Sequence, residues 1–233
     1  MITPIVLSIK VALLAVSIDA VLGTLLARAL ARRSFPGKNL VESCIMLPMV
    51  LPPTVLGYGL LILLGKRGLL GRLLQEMFGL QIVFTWWAAI VAAAVVSFPL
   101  MYQSAKAAFC SVDVSLEQAA RTLGSGEGRV FLRVTLPLAY PGLLAGLVLA
   151  FARALGEFGA TLMIAGNIPG KTQTIPLAIY FAVETGDNQL ARNLVLAITV
   201  MAFGALFWLN SWSKKKLQTL QQGGDVRVKS SHS

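Results

Sequence analysis

Five stretches of the chain stay apolar for close to the length a helix needs to cross a bilayer, and the polar positions fall between them. They lie at roughly 5–27, 44–64, 86–105, 142–165 and 194–212, against the ~20 residues that span the hydrocarbon layer. The runs are continuous and do not alternate with period two, which argues against a β-barrel. They predict an all-α, polytopic transmembrane helical bundle of about five spans. Two shorter stretches read differently. Between 69 and 80, Leu69, Leu73 and Met77 share one helical face while Arg72, Gln75 and Glu76 occupy another, the pattern of an interfacial helix. The apolar run 175–183, after Pro169-Gly170, is too short to cross and predicts a helix tucked against the outside of the bundle. One membrane domain over 1–212 is expected, with a polar tail at 213–233 that frays.

Composition agrees with this class. Hydrophobic residues make up 56% and charged residues 13%, about half the charged share of an ordinary soluble domain, ~25%. The mean hydropathy is +0.75. Cys44 and Cys110 sit in or beside apolar runs and read as small buried hydrophobes. The single histidine, His232, lies in the tail. A metal site, and any Ser-His or Cys-His catalyst, is therefore not expected, and neither is a cofactor.

The net charge of +10 is a topology signal. Arg28, Arg32, Arg33 and Lys38 follow the first run, Lys106, Arg121, Arg129 and Arg133 the third, and Lys214, Lys215, Lys216, Arg227 and Lys229 the fifth. The opposite side carries only Lys66, Arg67, Arg72, Lys171 and Arg192. The positive-inside rule puts the richer side in the cytoplasm, with the N-terminus outside and the C-terminus inside. Nucleic-acid binding is not needed to explain the charge. The first run is expected to be a retained helix instead of a signal peptide, because most of its charges follow it.

The inner loop at 106–138 carries the most information. Leu116, Ala119, Ala120 and Leu123 form an apolar stripe on a short helix, Asp113 or Ser115 can cap its start, and Gly124 suits its end. A second helical stretch, 129–136, runs into Pro137. Span four places Arg153 and Glu157 at i and i+4, within pairing reach, with Gly156 and Thr161 beside them. Charges inside a membrane are costly and face protein or water. The pair is either a structural lock or part of a translocation pathway or gate. Gly142 and Gly146 offer a small-residue face for close packing, within one subunit or across a dimer. Pro48, Pro52, Pro53 and Pro99 predict kinks. Asp19 is expected to face another helix, and Lys10 to snorkel to the outer interface.

The run from Leu116 to Gly124, with Leu136-Pro137 twelve and thirteen residues beyond that glycine, resembles the EAA loop of ABC-importer permeases. Gln118, Ala119, Ala120, Gly124, Val134, Leu136 and Pro137 fall on the family's positions; Gln118 replaces its glutamate and Val134 its isoleucine. The resemblance implies a coupling helix that docks on a separate ATP-hydrolysing subunit, with Glu117 or Gln118 anchoring the contact. Leu51-Pro52-Pro53-Thr54, Ser97-Phe98-Pro99-Leu100, the stretch from Phe151 to Thr161 and that from Asn167 to Pro176 are similar to the molybdate permease branch of the family. Sulfate and tungstate permeases are the alternatives. The family implies a homodimer in a bacterial inner membrane, two copies of the ATP-binding subunit and a periplasmic or lipid-anchored oxyanion-binding protein. The chain itself would be a conduit and not an enzyme. Gly166 and Gly170-Lys171-Thr172 are separated by three residues, whereas a Walker A loop needs four. An intramembrane aspartyl enzyme would have only Asp19 and Glu157 to use, and a passive scaffold would have no need of the loop spacing.

Overall fold

The computed structural model describes residues 2–230, with side chains described through Trp208 and at Ser211. All regular structure among the described residues is helical. Helix α1 (Ile2–Ala31) has no proline beyond its first turn, runs 30 residues and is about 45 Å long at 1.5 Å per residue. Helix α5 (Trp86–Cys110) forms the centre. Ala88, Ala89, Ala92 and Ala93 on it are fully buried or nearly so, and such small side chains let neighbouring helices approach closely.

Helices α1 and α8 (Leu136–Leu155) both pack along α5, and they also touch each other. The glycines of α8 explain that closeness. A Cβ at Gly142 would lie 2.6 Å from the Ala108 Cβ, and one at Gly146 would lie 2.7 Å from the Ser104 Cβ. The small-residue face of α8 is thus spent within the subunit.

Two predicted spans prove to be broken. The 44–64 run is α2 (Lys38–Val50) and α3 (Pro53–Leu64), which meet at an angle of 114°. A proline pushes the residue before it into extended backbone. Here Pro52 and Pro53 act in succession, leaving Leu51 at φ −70°, ψ 142° and Pro52 at φ −55°, ψ 137°. Two consecutive extended residues make a corner where a kink was expected. The 142–165 run is also not one helix. A rod of 29 residues covers Glu127–Leu155, made of α7 (Glu127–Val130), a π-helical turn at Phe131–Thr135 and α8. Pro137 does not end a helix, because it follows directly on the π-helical turn inside the rod, where the regular i→i−4 ladder is already interrupted. The chain then breaks at Gly156–Phe158 and resumes as α9 (Gly159–Ala165).

Helix α4 (Leu69–Phe78) forms where the interfacial helix is expected. Helix α10 (Ile175–Glu184) lies against α1 and α11 (Asn188–Ser230). Its start is pinned by the Ile175 N–H donating to Ser8 Oγ at 2.7 Å. The polar stretch from 213 continues α11 as helical backbone to Ser230, where fraying is expected; His232 lies outside the described residues. Among the described residues, four helical stretches are long and apolar enough to cross a membrane, and the bent α2–α3 pair makes a fifth candidate. The cysteines correct the sequence reading. Both are unbridged, but both are exposed, Cys44 because α2 buries no residue within this chain.

Candidate functional site

The loop at 106–138 folds around α6 (Val114–Thr122). Asp113 caps it, its Oδ1 accepting from the Ser115 N–H at 2.9 Å. That bond to the charged form holds the Asp113 carboxyl below the ordinary range. The helix closes in a Schellman turn. Gly124 takes φ +81°, its N–H donates to Arg121 O, and the Ser125 N–H donates to Ala120 O.

Glu117 is the one buried residue of α6. Its Oε2 lies 2.5 Å from Arg32 Nη1 and 3.6 Å from Arg121, and its Oε1 accepts from Thr135 Oγ1 at 2.7 Å. Arg32 also donates to Phe109 O and Val112 O at the end of α5. Arg28 stacks on the Phe131 ring, 3.5 Å from its centroid. These groups line a cavity of about 140 Å³ together with Arg121 and Glu127, which pair with each other. The carboxylate of Glu117 is therefore satisfied by its own chain.

The other face of α6 looks outward. Leu123 is 85% and Leu116 48% exposed. Gln118 and Ala119 are exposed, Ala120 is half-buried, and Leu136 and Pro137 on the adjoining rod are half-buried and exposed. Glu117 and Gln118, adjacent in sequence, point to different partners. Sequence reasoning missed Arg32, which registers there only as a topology charge, and Thr135, which carries no motif signal.

Within the membrane, Arg153 Nη1 lies 2.8 Å from Glu157 Oε2. The pair bridges the α8–α9 break, since Glu157 lies between the helices and its Oε1 accepts from the Ala160 N–H at 2.8 Å. Glu157 is almost fully buried, whereas the Arg153 side chain is 34% exposed. Gly156 is exposed and Thr161 is buried on α9. A Cβ at Gly159 would lie 2.8 Å from Pro53, so the two broken spans meet at their breaks.

Other polar and cation–π contacts tie the helices together. Ser97 Oγ donates to Asp19 Oδ2 at 2.5 Å. Lys106 and Tyr102 both donate to Glu42 Oε1, at 2.6 and 3.2 Å. Lys10 lies 3.9 Å from the Trp86 ring centroid. The loop at 166–172 closes on itself, Thr172 Oγ1 donating to Gly166 O and accepting from the Ile168 N–H. Its backbone forms no open phosphate cradle.

A model of the family described as binding-protein-dependent transport system inner membrane component matches residues 20–215. The chain is 51% identical over 207 residues to a Bacillus subtilis (strain 168) protein provisionally described as a molybdenum transport system permease, covering 89% of this chain and 91% of that one. It is 48% identical over 216 residues to the molybdenum transport system permease protein of Escherichia coli (strain K12), covering 91% and 94%. Identity to the chloroplastic sulfate permease 2 of Chlamydomonas reinhardtii is 36% over 212 residues, 91% of this chain and 56% of that one. A bacterial ABC transporter involved in alginate import has a chain that superposes with TM-score 0.72 at 17% identity, covering 92% and 79%. At that identity the likeness concerns the fold alone.

Proposed function

Because the chain belongs to the family of binding-protein-dependent transport system inner membrane components, we propose that it is the conduit of an ATP-driven importer for a tetrahedral oxyanion, molybdate before sulfate or tungstate. The observation that carries the choice of cargo is near-50% identity over some nine-tenths of both chains to molybdenum permeases, against 36% for a sulfate permease.

Residues 1–212 act as one permease domain, with 106–138 as its coupling loop and 213–233 as a cytoplasmic tail. Helix α6 is the docking element for a separate ATPase subunit, and two copies serve a homodimer. Leu116, Ala119 and Leu123 supply an apolar stripe and Gln118 a hydrogen-bonding amide. Ala120 and Gly124 allow close approach, and Leu136-Pro137 anchor the loop to the rod. The exposure of Leu116 and Leu123 on one side of the helix supports this reading. A periplasmic or lipid-anchored binding protein selects the anion and delivers it outside. ATP binding then draws the docked helices together and opens the pathway, and hydrolysis resets it. The bilayer is a bacterial inner membrane, the N-terminus is outside and the C-terminus cytoplasmic. The charge asymmetry supports this orientation: Arg28, Arg32 and Arg121 gather at one end of the bundle, while Lys10 and Lys171 lie by one cavity at the other.

The pathway is assigned to the meeting of the broken spans. Arg153 attracts a dianion, and Glu157 beside it limits the depth of the well. Conduction needs binding that is favourable enough to enter yet weak enough to leave. Gly156 and Thr161 shape the same break.

Uptake of labelled molybdate into liposomes tests the proposal, using permease, ATPase subunit and loaded binding protein. ATP-dependent uptake displaced by tungstate more strongly than by sulfate is expected. Uptake of sulfate alone would move the chain to the sulfate branch, and uptake without ATP would remove it from the importers.

A further inference from the structure

Arg32, one residue past α1, touches α6 and the end of α5 at once. One guanidinium nitrogen pairs with Glu117 on α6, and the other donates to Val112 O at 2.7 Å and Phe109 O at 3.2 Å at the end of α5. Through Glu117 it reaches Thr135 in the π-helical turn that begins the α8 rod. Helix α6 buries no apolar side chain, and Glu117 is its only buried residue. The helix is therefore held to the bundle by a charged contact and its flanking chain, not by a hydrophobic face.

We infer that Arg32 is a positioning residue for energy coupling. By fixing Glu117 it locks α6 to the ends of α1 and α5 and to the π turn, so that displacement of the docking helix reaches the membrane helices. The inference rests on the reading of α6 as that docking helix. A planar guanidinium suits the task because its fork of N–H groups serves a carboxylate and two carbonyls together, which the point charge of lysine does not. Glu117 is thereby a tether within the chain, and Gln118 is the residue left for the ATPase subunit.

The test uses the complete complex in liposomes and reads two quantities, anion moved per ATP hydrolysed and ATPase subunit retained. Arg32→Gln and Glu117→Gln each should keep the subunit and lower anion per ATP by about 5- to 150-fold, the usual range of coupling between sites. The double variant should be no worse than either single one, because both remove the same contact. Thr135→Val, which deletes one hydrogen bond and disturbs folding least, should lower the ratio in the same direction. An unchanged ratio in Arg32→Gln and Thr135→Val, or independent losses in the double variant, overturns the inference. Leu123→Glu tells the two readings apart. If it releases the ATPase subunit while Arg32→Gln transports normally, docking stands and the positioning role fails. If it retains the subunit, the docking reading fails and takes the positioning role with it.

Discussion

A buried carboxylate is tolerated only where its oxygens are satisfied, and Glu117 meets that condition with Arg32 on one oxygen and Thr135 on the other. The two partners lie 85 and 18 residues away in sequence. No local pattern could pair them, so spacing alone leaves Glu117 and Gln118 equivalent. Asp19 meets the same condition on one oxygen only, since Ser97 Oγ donates to Oδ2 while Oδ1 is buried with no hydrogen-bond partner among the described residues. Its need for another helix is legible because a charge in an apolar run needs a partner, but that the partner is Ser97 is not. Ser97→Ala should destabilise the α1–α5 contact by roughly 1–3 kcal/mol, the cost of an unpaired buried polar group, read as a lowered unfolding midpoint in detergent. The cap of α6 has a pH signature. The folded Asp113 carboxyl is held below its ordinary value, so its stabilisation is complete above the unfolded value and lost as pH falls through the folded one. NMR shifts of residues 114–116 should report loss of the cap only on acidification, and Asp113→Asn should remove that dependence. A wild-type response unchanged by the substitution would refute the assignment.

At the scale of elements, long apolar runs announced α1, α5 and the membrane part of α11, and the two-faced pattern of 69–80 announced α4. The breaks were hidden. Residues on both sides of Gly156–Phe158 are apolar, so hydropathy runs straight across a gap that Glu157 closes by accepting a backbone N–H. Pro52-Pro53 promised a kink, but the 114° corner depends on two consecutive extended residues. Close packing gives a direct test. Gly142→Val should cost roughly 1–3 kcal/mol through overpacking against Ala108, measured as thermal stability of the purified chain; an unaltered midpoint would mean that α8 and α5 lie farther apart. Gly124→Pro demands φ near −65° where the backbone has +81°, so the turn after α6 should be lost and transport with it. Glu157→Gln should impair uptake or assembly far more than Glu76→Gln, because Glu76 is an exposed partner of Arg72. Equal and negligible effects would take Glu157 out of the pathway.

The whole molecule is a set of helices with a tethered loop helix and two broken spans that meet at their breaks. The orientation proposed from its charge asymmetry can be checked. A reporter fused after Trp212 should be active only in the cytoplasm, and periplasmic activity would invert the orientation. The central claim is that force enters through α6 from a motor that is a separate chain. Its most direct measurement is recovery of the ATP-hydrolysing subunit on tagged permease carrying Leu116→Glu and Leu123→Glu together, beside the unaltered chain. The account predicts that the unaltered permease brings the subunit down and that the variant, still folded and inserted, brings down little or none. Equal recovery by both would contradict it.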